Sequence, residues 1–300
     1  MFGEDVDGVN KNMLFEEIIN KYSNEVEEAV DQLFHEAHKN QVNETDLLLV
    51  LENGLKKEYP ESTLKRLKIS PYQIGPDIIG FRYDTFYQFI NYYRQGIKSK
   101  DEFFKGFDDE KLKHSLLDFY RDFQLLLYMK FWETDLILRR LSNLSNLAQA
   151  KPYYWDYSQT VYDARRNLIK DEIQKPLEFI CPLFYKLIDE IYSNQIRNAV
   201  AHSQYYFLYD SIHLTNKDGN KHYKLNGITY DDWEVLFTKL ILLYNFMIKN
   251  FNKYQVLYQK EVKDKHFGLL IYFPENDLKG LQKTGWVKYD FSHKRWHWNQ

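Results

Sequence analysis

One cysteine, twelve glycines and seven prolines in 300 residues rule out several classes of protein at once. The lone Cys181 excludes an intrachain disulfide and any zinc site built on several cysteines. Four of the scarce Pro and Gly residues crowd into Pro71, Gly75, Pro76 and Gly80, which makes that stretch the clearest break in the chain. No run of 18 residues is both apolar and free of charge; even the greasy 233–251 stretch holds Lys239 and Lys249. The start, Met1-Phe2-Gly3-Glu4-Asp5, is acidic and does not read as a signal peptide. These absences point to a cytoplasmic protein with no membrane partner. P-loop, GxGxxG, Ser-elbow and HExxH patterns are missing, as are internal repeats and low-complexity tracts.

The net charge of −3 leaves no global basic footprint for nucleic acid. The charge is unevenly spread, however. Residues 1–60 carry 14 acids against 5 Lys/Arg, whereas residues 249–300 carry 10 Lys/Arg against 5 acids. Such asymmetry predicts an acidic surface at one end and an RNA- or partner-facing surface at the other. An acidic N-terminal region could also cover a basic surface and autoinhibit the chain. The length suits one large domain or two small ones with a sizeable core.

Along the chain, helical periodicity dominates. Leu14, Ile18, Ile19, Tyr22, Val26, Val30, Leu33 and Phe34 recur at helical spacing. Asn43-x-x-Asp46 opens a second helix through about Tyr59, and another is expected near Asp84–Gln95. From Asp108, Leu112, Leu116, Phe119, Phe123, Leu126, Lys130, Ile137, Leu141, Leu144 and Ala148 lie close to one stripe. One straight helix there would span about 60 Å at 1.5 Å per residue. A kink near Trp132–Asp135 is therefore expected, with Lys151-Pro152 ending the segment. Further helices are expected at about Gln159–Gln174 and Pro182–Ala201. Ile212 and Leu214, the turn Lys217-Asp218-Gly219-Asn220, and Tyr223 and Leu225 read as a hairpin. Thr229-x-x-Asp232 resembles a capping box opening a helix Asp231–Asn252. Leu269–Phe273 and Trp286–Phe291 read as strands. The fold class is thus mainly α, with a β-hairpin insertion, an N-terminal helical extension and a short C-terminal β element. The segments are 1–69 (acidic, helical), 70–107 (linker and helix), 108–253 (helical domain) and 254–300 (basic, aromatic-rich β element).

The residues that carry chemistry are Arg197-Asn198-Ala199-Val200-Ala201-His202, which close an apolar helical run. Ten arginines and nine histidines yield roughly 0.3 chance Arg-x4-His matches, and requiring Asn after Arg lowers this to about 0.02. Histidine moves protons near neutral pH. Arginine binds phosphate and steadies charge on its oxygens, and asparagine offers both a donor and an acceptor. On one helix Asn198 and His202 share a face, but Arg197 and His202 stand about 140° apart. Either the helix ends before His202 or a second copy completes the site.

This R-N-x-x-x-H pattern resembles the motif of the HEPN superfamily of all-α RNases, toxins and abortive-infection proteins. The resemblance covers about residues 108–253 and implies a HEPN-like bundle. It also implies a metal-independent endoribonuclease of an antiviral defence system, cutting RNA by 2′-OH attack. His202 would move the proton, Arg197 would hold the scissile phosphate and Asn198 would orient them. It implies a homodimer with a composite site, an antitoxin or regulatory partner, and no cofactor or metal. Some HEPN toxins carry a modifiable tyrosine two residues after the histidine; here Gln204 stands there and Tyr205 follows.

Supporting candidates are Glu190 and Asn194, seven and three residues before Arg197 on its helix face, and Tyr205. Lys294, Arg295 and Trp296 are candidate RNA-binding residues, cations next to a stacking ring. Arg139-Arg140 and Arg165-Arg166 are charged faces that can line a cleft. His35-x-x-His38 lacks an evident third ligand for a metal. The alternative reading is a non-catalytic module that binds RNA, a nucleotide or a protein through the same pair.

Overall fold

In a computed structural model, residues 15–52, 110–153, 165–218, 221–222, 225–272 and 284–298 are described. The expected linker at 70–80, the helix near Asp84–Gln95 and the start of the 159–174 helix lie outside them. The chain is mainly helical, with small antiparallel sheets.

Helix α1 (Phe15–Asn40) and α2 (Asp46–Leu51) come first. The 108–148 region forms α3 (Glu110–Glu133) and α4 (Asp135–Ala148), broken at Thr134 as the length argument requires. Thr134 Oγ1 donates to the Lys130 carbonyl at 2.5 Å, turning the chain out of the helix. The expected stripe on α3 is misplaced. Phe119, Phe123 and Leu126 are 73%, 39% and 43% exposed, while Gln124, Leu125, Tyr128, Phe131 and Trp132 are fully buried. Between Leu116 and Trp132 apolar side chains recur on more than one side of the helix, so periodicity alone did not choose the face. Gln124 is tolerated inside because it donates to Glu234 at 3.0 Å and accepts from Trp233 Nε1 at 2.8 Å.

Next come α5 (Arg165–Asn167), a π-helical turn (Leu168–Gln174) and a 3-10 turn (Lys175–Leu177). The single helix expected over 182–201 is two: α6 (Pro182–Ile191), with Pro182 in its first turn, and α7 (Asn194–Ala201). Strands β1 (Tyr205–Phe207), β2 (Ser211–Leu214) and β5 (Gly227–Thr229) form one antiparallel sheet, and β3 (Lys217–Asp218) pairs with β4 (Lys221–His222) at its tip. The hairpin signal after the motif is therefore realised.

Helix α8 (Tyr230–Lys263) begins where the capping pattern placed it, with Thr229 Oγ1 accepting from the Asp232 N–H at 3.1 Å. It runs eleven residues beyond Asn252, because Tyr254, Tyr258 and Val262 continue its buried face. Strands β6 (Leu269–Tyr272), β7 (Thr284–Asp290) and β8 (Arg295–Trp298) form the C-terminal antiparallel sheet.

Helix α1 is no appended acidic unit. Val26, Val30, Leu33, Phe34 and Ala37 are fully buried in the same core as α4, α6 and α8. Burying one Phe or Leu side chain contributes about 1.5–3 kcal/mol, so α1 is a large share of the core. Its acids face α8: Glu25 meets Lys239 at 3.3 Å, Glu27 pairs with Lys249, and Asp31 accepts from Asn250 at 2.7 Å. Three of the acids at the N-terminal end are thus matched by partners on α8. Helix α1 therefore cannot lift away as a flap without opening that core, while residues 1–14 and 53–69 lie outside the described residues.

Candidate functional site

The helix break at Tyr192–Ser193 sets the pose of α7. The Ser193 N–H donates to Tyr128 Oη at 2.8 Å, and that hydroxyl donates back to the Ser193 carbonyl at 3.3 Å. Tyr128 is fully buried, so the junction is pinned from within the core. Ser193 then caps α7, its hydroxyl accepting from the Ile196 N–H at 3.3 Å.

Arg197 and Asn198 project from α7. Asn198 Oδ1 accepts from Arg197 Nη2 at 2.7 Å. Arg197 Nη1 lies 3.1 Å from Glu133 Oε1 at the end of α3. The other oxygen of Glu133 lies 2.9 Å from Arg165 Nε, and Arg165 Nη1 donates to the Glu133 carbonyl at 3.1 Å. One carboxylate thus serves two guanidiniums, leaving the trio net positive. Arg197 Nε is buried with no hydrogen-bond partner among the described residues. Tyr192 sits beside this group: burial pushes its hydroxyl up to about 12, against the pull of the Arg197 and Arg166 charges.

Helix α7 ends as one solution to the angular problem requires. His202 is its C-cap, at φ −109° and ψ 10°. Ser203 takes the left-handed conformation, φ 53°. Its N–H donates to the Val200 carbonyl at 3.2 Å, and the Gln204 N–H to the Ala199 carbonyl at 2.7 Å, a Schellman closure. The His202 side chain is exposed, and its ring has no hydrogen-bond partner among the described residues. The fold therefore brings Asn198 to Arg197 and holds His202 at the helix end facing solvent.

The other candidates are placed differently. Glu190 does not reach Arg197; it binds Lys239 at 2.5 Å and Lys186 at 3.5 Å, because the break at Tyr192–Ser193 ends the shared helix face. Burial pushes Lys239 down, but Glu190 and Glu25 outweigh it and hold the ammonium above its ordinary range. Asn194 Oδ1 accepts from the Tyr192 hydroxyl at 3.4 Å rather than from Arg197. The Tyr205 hydroxyl donates to Asp122 on α3, tying β1 to the bundle. Its burial and the Asp122 carboxylate push that hydroxyl far up. Trp296 is 7% exposed, with its ring 5.2 Å from Tyr289, so it is a packing residue and offers no free stacking face. Lys294 is exposed in the β7–β8 turn at φ 52°, and the side chain of Arg295 lies outside the described residues. Arg140 donates to the Leu51 carbonyl at 3.1 Å and lies over the Phe251 ring. His38 packs on Tyr254 and Tyr258. Among the described residues no three His, Cys, Asp or Glu side chains converge as a metal site.

Sequence spacing did not single out Glu133, Tyr128 or Asp122. Each acts on the segment from more than 60 residues away, and no local pattern marks such a pairing. Among the described residues no helix is long and apolar enough to cross a membrane. No protein-family model, curated protein or solved structure matches the chain.

Proposed function

We propose that this chain is a HEPN-type, metal-independent endoribonuclease acting as a toxin or abortive-infection effector. The observation that carries the reading is the Arg197–Asn198 pair, pre-ordered at 2.7 Å on a short helix whose C-cap is the exposed His202. In the reaction an RNA 2′-oxygen attacks the adjacent phosphorus and loses its proton to His202. The bond to the 5′-oxygen breaks, and an imidazolium returns a proton to that oxygen. Products carry a 2′,3′-cyclic phosphate and a 5′-hydroxyl. Arg197, helped by the positive excess around Arg165, binds the phosphate oxygens as charge grows on them. Histidine and arginine supply both proton transfer and charge, so the step needs no cofactor.

A homodimer would complete the site by giving one histidine to each proton transfer. The exposed stripe Phe119, Phe123 and Leu126 supports a second copy, since three apolar residues at i, i+4 and i+7 share one face of α3. An antitoxin or other regulatory partner belongs to the same reading.

A second reading has its own support. The Arg197 side chain is only 14% exposed and already paired with Glu133. That suits a module which recognises a phosphate, or a protein partner, without cutting.

The deciding experiment is incubation of total RNA and tRNA in EDTA with the wild type, His202→Ala and Arg197→Ala. Cyclic-phosphate ends produced by the wild type alone are the expected result. Equal cleavage by His202→Ala would remove the histidine from the mechanism. RNA binding that needs Arg197, with no cleavage by any form, would favour the binding module.

A further inference from the structure

The β6–β7–β8 sheet turns one face to the helices and one outward. Leu269, Ile271, Val287 and Trp296 are buried, whereas Tyr272 and Trp286 stay 39% and 43% exposed. The register sets Trp286 opposite Leu270 and Lys288 opposite His297, so these residues share the outward face. Phe267, just before β6, is 66% exposed, with its ring 6.2 Å from that of Trp286. The end of α8 adjoins β7. Lys263, Lys265, His266 and Lys288 line a cavity of about 480 Å³ with Asp264, Tyr289 and Phe291. None of these three lysines forms an ion pair with another side chain among the described residues. Lys263 sits in the last turn of α8, where the helix dipole favours a cation. That explanation does not reach Lys265 or Lys288, which converge on the cavity from the following turn and from β7.

We propose that this outward face and the adjoining cavity bind single-stranded RNA, with a base stacked on Trp286 and phosphates along Lys263, Lys265 and Lys288. A half-exposed ring flanked by lysines that form no side-chain ion pair matches the two needs of a single strand, a π-face for a base and a positive track for the backbone. A duplex hides its base faces and satisfies only the second need. The proposal deepens the RNA reading of Arg197 and His202 by supplying a site that holds substrate away from the scissile bond. Its residues are not those the basic tail first suggested, because Trp296 points inward and Trp286 outward.

The test is fluorescence anisotropy on the full chain with a labelled 2′-O-methyl RNA of roughly 12 nucleotides, a length that spans such sites. This probe has no free 2′-hydroxyl, so binding is read apart from cleavage. Trp286→Ala should weaken binding roughly tenfold, while Trp286→Phe should keep most of it. Lys263→Gln with Lys288→Gln should flatten the dependence of log Kd on log salt by about 1.4, at 0.7 for each lost contact on a single strand. Unchanged binding by Trp286→Ala overturns the proposal. So does a duplex that binds as tightly as the strand, or a glutamate-rich peptide that displaces the strand as well as RNA does. Retained probe binding by a chain that never cleaves would sink the nuclease reading alone.

Discussion

Glu133 holds Arg197 by a 3.1 Å ion pair while its second oxygen lies 2.9 Å from Arg165. The consequence runs in two directions. In the proposed reaction the arginine would meet a phosphate with its rotamer already fixed, which would lower the entropy lost on binding. The same carboxylate would compete with that phosphate for the guanidinium. Glu133→Gln should therefore tighten RNA binding several-fold.

The same substitution should cost stability of about 1 kcal/mol, between the values for exposed and buried pairs. A double-mutant cycle with Arg197→Ala in urea unfolding measures the coupling directly. Coupling near zero, together with unchanged RNA affinity, would show that the pair neither orders nor restrains the arginine.

Tyr128→Phe removes one oxygen and leaves the Ser193 N–H without its 2.8 Å acceptor. A buried donor left unsatisfied costs about 1–3 kcal/mol. The loss should be local as well as global, because the tyrosine pins the α6–α7 junction. Hydrogen exchange should accelerate at Ser193 and through α7 more than in α1 or α8. Uniform acceleration would mean that Tyr128 supports the core without setting the pose of Arg197.

Much of the fold was legible because it is written in local patterns. The break at Thr134 followed from helix length, the start of α8 from Thr229 and Asp232, the hairpin from alternation, and the C-terminal strands from short apolar and aromatic runs. The wrong inferences share one physical cause, in that their deciding partners are distant. The 182–201 stretch reads as one helix until Tyr128, 65 residues upstream, claims the backbone of Ser193. The apolar stripe on α3 points the wrong way because Gln124 is buried by partners on α8. The acidic N-terminal segment looks separable until Glu25 and Asp31 are seen against Lys239 and Asn250. At the candidate site, Arg197, Asn198 and His202 could be chosen from spacing. Glu133 could not, since no pattern links it to a residue 64 positions later.

His38 gives a pH signature. Burial against Tyr254 and Tyr258 lowers its pKa below the usual 6.5, with Glu261 pulling up and His35 pushing down. The unfolded chain then binds the proton more readily than the folded one. The neutral imidazole therefore contributes stability that is present above pH 6.5 and lost as pH falls through the depressed folded value. His38→Gln should remove this slope. Urea midpoints for wild type and variant, compared at neutral and mildly acidic pH, should converge as the pH drops. A constant difference between them would show that His38 does not titrate differently in the two states.

Ser203 closes α7 at φ 53°, a conformation that costs a residue with a Cβ about 1 kcal/mol relative to glycine. The side chain is exposed, and the closing hydrogen bonds come from backbone N–H groups that glycine retains. Ser203→Gly should therefore stabilise the chain, offset in part by the greater freedom of glycine when unfolded. A net gain of roughly 0.5 kcal/mol in urea unfolding is expected. Ser203→Val should lose more than that, because a β-branched residue is poorly suited to positive φ. The pair also bears on the site, because this closure holds His202 at the helix end. If His202 acts from that position, Ser203→Val should lower RNA cleavage more than it lowers stability, and Ser203→Gly should leave cleavage intact. Cleavage that simply follows the folded fraction in both variants would show that the cap supports the helix and does not aim the histidine.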